Sequence, residues 1–349
     1  MKLPIINMLS SRVEAHTLFL QPTPWCARNC KGCYVKERNP EGTQDYIPSV
    51  TPPMEQFELL KMFCKGELAW ANEITIAMDD FPTSRKQQNH MFALFNWTFS
   101  MIHNCKQLSI PLPAMHMTFH TVPTYLSYVG IAKRNCNWFK ESYTDWEGLA
   151  FPAQLLDMIN FSQISPDNET TKKLLKEIRK ETPVNYNYLI PRNTNKGNIR
   201  KHIEHLTRVG EMVDHIYLVI YKDPVGQLRT SEQTARGQEN MANDRFYIEQ
   251  MQKHLPAHIK RKINIDGCLK DVEKFNATGY GCSSSISRFQ VWPDGSVTGC
   301  AYGHTSLAKT KGSTANEILE NIKAARKRYD FIDAPCHLVA DYKNSEERK

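Results

Sequence analysis

The sequence predicts an α/β chain built on a parallel sheet, closed or partly closed into a barrel, with a small C-terminal β-hairpin and helix after it. Three observations carry this expectation. From about residue 16 to residue 270, short apolar runs alternate with longer amphipathic stretches, the pattern of strands joined by helical crossovers. Several of these runs are polar at every second position, whereas a parallel strand covered on both faces reads apolar throughout. Beyond about residue 270 the alternation gives way to "NATGYGCSSSISRFQVWPDGSVTGCAYGHTS". Residues 1–270 are therefore expected to form the barrel and residues 271–349 the extension.

The strands, in order, are expected at "HTLFLQP", "EITIAMDD", "AMHMTFHT", "LDMINFSQIS", "PVNYNYLIP", "DHIYLVIY" and "KINIDGC". In the second, Ile74, Ile76 and Met78 oppose Thr75, Ala77 and Asp79; in the third, Met115, Met117 and Phe119 oppose His116, Thr118 and His120. In the fourth, Ile159 and Phe161 oppose Asn160 and Ser162. Such strands fit a barrel whose apolar side meets helices and whose interior holds a polar ligand; an ordinary sheet with satisfied polar residues gives the same alternation. His116 and His120 would stand about 13 Å apart along a strand, too far to chelate one metal together. Between the strands, "MEQFELLKMFCKGELA", "HMFALFNWTFSMIHN", "TTKKLLKEIRKE" and "NIRKHIEHLTRVGEMV" carry apolar residues at three- and four-residue spacing, as helices do. "SRFQVWPDGSVTGC" reads as a hairpin turning at Asp294 and Gly295. "TANEILENIKAARKRYDF" reads as a helix capped by Ser313 or Thr314, with Glu317 near the capping-box position. Cys336 follows it, and the tail is charged.

A chain of 349 residues is long enough for a sizeable core. Its net charge of +7 is spread over "KRNCNWFK", "KEIRKE", "HIKRK" and "KAARKR", which fall mostly on helical patterns beside acidic residues and read as solvated faces rather than a nucleic-acid track. The opening "MKLPIINMLSSRVEAH" has no secretory apolar stretch, and no run approaches the roughly 18 apolar residues of a membrane span. Ten cysteines in a chain expected to be cytoplasmic point to metal or redox chemistry rather than disulfides.

The thiols are not evenly spread. "PWCARNCKGCYVKE" places Cys26, Cys30 and Cys33 together just after the first strand, with no further cysteine or histidine between residues 20 and 50. A structural zinc usually takes four ligands. Three soft thiolates suit a four-iron cluster with one iron left open. The spacing Cys-x3-Cys-x2-Cys after the first strand of a repeating β/α chain resembles the signature of the radical SAM superfamily. Gly32 stands where many members carry an aromatic residue, and Tyr34 follows.

That resemblance implies a partial (β/α)6 TIM-like barrel and a [4Fe-4S] cluster whose open iron is chelated by S-adenosylmethionine (AdoMet). Reductive cleavage of AdoMet would give a 5'-deoxyadenosyl radical that abstracts hydrogen from a substrate. The family's second strand usually ends in a glycine-rich acidic turn that receives the methionyl amino group; here "ITIAMDDFP" offers Asp79 and Asp80 without the glycines. Such an acidic pair can accept from an ammonium, or cap a strand end without any ligand. Asn160 and Ser162 on the fourth strand, and Asn187 on the fifth, stand where the family commonly places polar contacts to AdoMet, with contact to substrate as the alternative.

Cys282, Gly295 and Cys300 form a Cys-x12-Gly-x4-Cys arrangement that resembles the hairpin entrance of SPASM and twitch extensions. The resemblance implies an auxiliary iron-sulfur cluster, with Cys268, Cys282, Cys300 and Cys336 as a possible full ligand set. Only Cys336 follows the last helix, which suits the shorter, single-cluster twitch form. Cys64, Cys105 and Cys136 read as buried apolar thiols. A flavodoxin- or ferredoxin-like reductant and a peptide, nucleotide or other small-molecule substrate are implied. Met1 to about Ala15 is short for a peptide-binding domain. A non-catalytic iron-sulfur protein for electron transfer and a nucleic-acid-binding or modifying protein are the alternatives.

Overall fold

The computed structural model describes residues 16–21, 62, 67, 71–78, 85–135, 146–191, 198–219, 235–265, 288–292, 294–299, 306–310 and 313–326. Within them, seven parallel strands follow one another in chain order. These are β1 (His16–Leu20), β2 (Ala71–Met78), β3 (Ala114–Thr121), β4 (Met158–Gln163), β5 (Val184–Leu189), β6 (His215–Val219) and β7 (Ile263–Ile265), each hydrogen-bonded to the next. The expected parallel α/β architecture is present, as an open, TIM-like sheet carrying seven such strands. The helices are α1 (Arg85–Gln107), α2 (Val122–Asn135), α3 (Trp146–Gln154), α4 (Glu169–Ile178), α5 (Ile199–Gly210), α6 (Ala235–His254), the single turn α7 (Ala257–Lys260) and α8 (Ala315–Arg326). The helix expected at "MEQFELLKMFCKGELA" lies almost wholly outside the described residues.

Alternation in the strands has the expected consequence. Ile74, Ile76, Met78, Met115, Met117, Phe119, Ile159 and Phe161 are all buried and belong to one apolar cluster with the helices. Phe119 on β3 lies edge-on to Tyr125 of α2 at 5.1 Å between ring centroids and 6.2 Å from Phe161 of β4. Phe95 of α1 stacks on Tyr128 of α2 at 5.5 Å, which closes the aromatic layer over these strands. This outer face is the main source of stability, since each buried aromatic removes some 150–250 Å² of surface from water.

Register is pinned twice by the same device. Asp157, just before β4, accepts from Met115 N at 2.7 Å while its own N–H donates to Met115 O. Asp214, just before β6, accepts from Val184 N at 2.9 Å while its own N–H donates to Val184 O. A one-residue slip would turn every side chain to the wrong face, and would also orphan these strand-end donors.

The helices end as their sequences dictate. Asn168 caps α4 by accepting from Thr171 N at 2.9 Å, and Thr171, Leu174, Leu175 and Ile178 form its buried face. α5 stops at Gly210, short of the expected "EMV", where a Cβ would come within 2.7 Å of Ile259. The basic clusters partly serve the fold: Arg179 donates to Asp214 from Nε and Nη2 at 3.0 and 2.8 Å, and Lys262 donates to Gly210 O and Val213 O at the end of α5. Among the described residues, no helix is long and apolar enough to cross a membrane.

The C-terminal hairpin forms as expected but docks on the main sheet. β8 (Arg288–Val291) pairs in parallel with β1, and β9 (Ser296–Thr298) returns antiparallel to β8, followed by β10 (Ala308–Lys309) on its outer edge. Gly295 takes φ 77°, the left-handed conformation that favours glycine. Asp294 holds the turn by accepting from Ser296 N at 2.9 Å. Buried Trp292 donates from its indole N–H to Thr298 Oγ1 at 2.9 Å, tying the two strands together. The capping box of α8 is formed by Thr314, whose N–H donates to Glu317 Oε2 at 2.7 Å while its hydroxyl accepts from Glu317 N.

Candidate functional site

Because the apolar alternates of β2, β3 and β4 are committed to the helices, their polar alternates share the other, inner face of the sheet. Strand register brings them into rows. Thr118 of β3 stands beside Asn160 of β4, Asn160 beside Asn185 of β5, and Asn187 beside Tyr217 of β6. On the other side, Thr75 of β2 stands beside His116 of β3, and Phe19 of β1 lies between Thr75 and Gln290 of β8.

Two polar groupings result, of different character. The first is charged and belongs to β1, β2, β3 and β8. Glu73 accepts from Thr75 Oγ1 at 3.1 Å and lies 3.2 Å from His116 Nδ1. Burial alone would raise the Glu73 carboxyl, but the hydrogen bond and charge of His116, the Thr75 hydroxyl and the charge of Arg288 outweigh it and hold Glu73 below the usual carboxylate range. The Arg288 guanidinium sits 5.0 Å over the Phe19 ring.

The second grouping is neutral and belongs to β4 and β5. Asn185 Nδ2 donates to Asn160 Oδ1 at 2.9 Å and to Asn187 Oδ1 at 2.8 Å. Asn160 and Asn185 are each only 7% exposed, so these amides are fixed by their surroundings as well as by each other. Ser162 follows two residues after Asn160 on the same face and is half-buried. Of the sequence-predicted contacts, Asn160, Ser162 and Asn187 therefore share the inner face. Glu73, Asn185 and Arg288 were not anticipated. Asn185 had a readable signal, because "VNYNYL" places it on the same alternate as Asn187.

The predicted cysteine ligands Cys26, Cys30, Cys33, Cys268, Cys282, Cys300 and Cys336, and the acidic pair Asp79 and Asp80, lie outside the described residues. The strands around them are described. β1 and β2 pair in parallel, so the segments bearing the triplet and the acidic pair leave adjacent strands at the same end of the sheet. β8 and β9 pair antiparallel, so the chain enters the hairpin after Cys282 and leaves it before Cys300 at one end. Cys105, in α1, is a buried thiol as expected. Among the described residues, no group of three or more histidine, cysteine or acidic side chains could hold a metal ion.

A cavity of about 660 Å³ opens elsewhere, outside the inner face, between the start of α2, the β4–α4 loop and α5. Part of its polar lining is already paired: Arg208 donates to Asp167, and the Tyr186 hydroxyl hydrogen-bonds His205 Nε2 at 3.0 Å. The inner face, where amide groups keep unused capacity, is the better candidate site.

Comparison with known proteins gives little sequence kinship. No protein-family model matches the chain, and no curated protein matches it. Among solved structures, one similar chain is a histidine-tagged anSMEcpe with bound AdoMet, with 15% identity and a TM-score of 0.42, over 88% of this chain and 80% of that one. The functional reading therefore rests on this chain's own residues.

Proposed function

We propose that this chain is a radical SAM enzyme, with Cys26, Cys30 and Cys33 holding a [4Fe-4S] cluster at the end of β1. The observation that carries this reading is the cysteine triplet placed just after the first strand of a sequentially ordered parallel sheet. The inner face supports it: Asn160, Ser162 and Asn187 supply neutral hydrogen-bonding groups suited to a zwitterionic nucleoside such as AdoMet. When bound, cluster and AdoMet together supply a 5'-deoxyadenosyl radical that abstracts hydrogen from the substrate.

The chain's own residues divide the remaining work. Asp79 and Asp80, directly after β2, would accept from the methionyl ammonium. Asn160, Ser162 and Asn187 would bind the oxygens of AdoMet and hold its orientation. Glu73 and His116 are engaged with each other at 3.2 Å on the other side of the inner face. Cys282 and Cys300, flanking the hairpin, would hold an auxiliary iron-sulfur cluster in a twitch-like extension over residues 271–349, with Cys268 and Cys336 completing the ligand set. A peptide or small-molecule substrate and a flavodoxin- or ferredoxin-like reductant complete the proposal, for a chain working in the cytoplasm.

Anaerobic reconstitution with iron and sulfide, followed by incubation with AdoMet and dithionite, tests the reading. The expected result is 5'-deoxyadenosine from wild type and none from a Cys26→Ala/Cys30→Ala/Cys33→Ala variant. Absence of 5'-deoxyadenosine from reconstituted wild type would overturn it in favour of a non-catalytic iron-sulfur protein.

A further inference from the structure

Resting on the AdoMet reading above, we propose that Asn185 is a positioning residue that sets the hydrogen-bonding polarity of the ligand wall formed by β4 and β5. A primary amide carries two N–H donors on one nitrogen. Asn185 spends both, one on Asn160 Oδ1 and one on Asn187 Oδ1. The carbonyl oxygens of the two flanking asparagines are thereby engaged. Among the described residues, no side chain or backbone group bonds Asn160 Nδ2 or Asn187 Nδ2. The two flanking amides consequently present –NH2 donors, and a ligand meets those two groups with acceptor oxygens.

The alternative orientation has an opposite meaning. If residue 185 accepted from its neighbours, their –NH2 groups would be consumed and their carbonyl oxygens would face the ligand, favouring an ammonium or another donor. One central side chain therefore decides whether two others read acceptors or donors. Burial of Asn160 and Asn185 gives the choice weight, because a buried amide facing a ligand group of the wrong polarity leaves a polar atom unpaired. The AdoMet carboxylate only accepts and would satisfy these donors, whereas the ribose hydroxyls both donate and accept and would meet amides of either orientation.

Asn185→Asp is the informative variant, since a carboxylate of the same shape only accepts and would draw both –NH2 groups toward itself. Equilibrium dialysis of the full, anaerobically reconstituted chain would use three probes: AdoMet, its decarboxylated analogue and its 2'-deoxyribose analogue. In wild type, AdoMet should bind most tightly. In Asn185→Asp its affinity should fall by about tenfold or more, and the loss should shrink for the decarboxylated analogue but not for the 2'-deoxyribose analogue. A loss that shrinks only for the 2'-deoxyribose analogue would overturn the proposal, because a hydroxyl meets donors and acceptors alike. A purely structural role would weaken all three probes equally, and this result, or unchanged binding of all three, would overturn the proposal while leaving the AdoMet reading intact. Failure of wild type to bind any probe would remove the AdoMet reading itself. If Asn185→Asp does not fold, Asn185→Ala takes its place, with a smaller loss for AdoMet, the same analogue dependence expected and the same overturning result.

Discussion

The two faces of β5 carry polar side chains in nearly equal number but use them differently. On the outer face, the Tyr186 and Tyr188 hydroxyls each hydrogen-bond an imidazole on α5, His205 Nε2 at 3.0 Å and His202 Nδ1 at 2.6 Å. Burial pushes both phenols up and both imidazoles down, so at neutral pH the tyrosines stay protonated and the histidines neutral. Each polar group there is matched by another, and the pairs bind sheet to helix. On the inner face, Asn185 satisfies one end of Asn160 and one end of Asn187 and leaves the other ends uncommitted among the described residues. A closed set of partners reads as structure. A set with spare donors in a buried row reads as a place for a ligand.

This contrast can be broken from either side. Outer-face changes should cost stability and spare ligand binding. Phe119→Ala, at the centre of the aromatic layer, should have the largest effect, a loss of about 3–5 kcal/mol in chemical denaturation. Binding by the folded fraction should be unchanged.

Asp214→Ala should come next, at about 2 kcal/mol near neutral pH, because it removes the acceptor for Arg179 and leaves the Val184 N–H without its partner. Burial tends to raise the Asp214 carboxyl, but the Arg179 hydrogen bonds and the Val184 N–H hold it below its ordinary value. Its contribution is thus complete above the unfolded-state pKa of about 3.9 and is lost as pH falls through the lower folded-state value. Denaturation midpoints measured from pH 7 down to pH 3 should converge for wild type and Asp214→Ala at the acid end.

Tyr188→Phe should cost least, about 1 kcal/mol, by removing one hydrogen bond to a partly buried imidazole. A loss of AdoMet binding in any of these three variants at full folding would blur the distinction between the faces.

Much of this arrangement was legible in the sequence because period two is a local property. Met115, Met117 and Phe119 could be assigned to the helical side, and Asn160 and Asn187 to the inner side, without knowing any strand's neighbour. The turn at Asp294 and Gly295 and the capping box at Thr314 and Glu317 were local in the same sense. What escaped depended on pairing. Glu73 gains meaning only when β2 lies against β3 and brings His116 within reach. The hairpin reads as a separate appendage until β8 is found beside β1, with Arg288 paired to Thr17 across most of the chain. The tyrosine-histidine pairs require the two-residue step of a strand to match the three-residue step of a helix, a coincidence that neither segment announces alone.

The most direct test places both faces of β5 in one measurement: equilibrium dialysis of labelled AdoMet against three anaerobically reconstituted proteins. These are wild type, an inner-face Asn160→Leu/Asn187→Leu variant and an outer-face Tyr186→Phe/Tyr188→Phe variant. Wild type should bind AdoMet, the inner-face variant should lose about tenfold or more in affinity, and the outer-face variant should stay within about twofold of wild type while being less stable. Undiminished binding by the inner-face variant, or an equal loss in both variants, would contradict the assignment of the inner face as the AdoMet site.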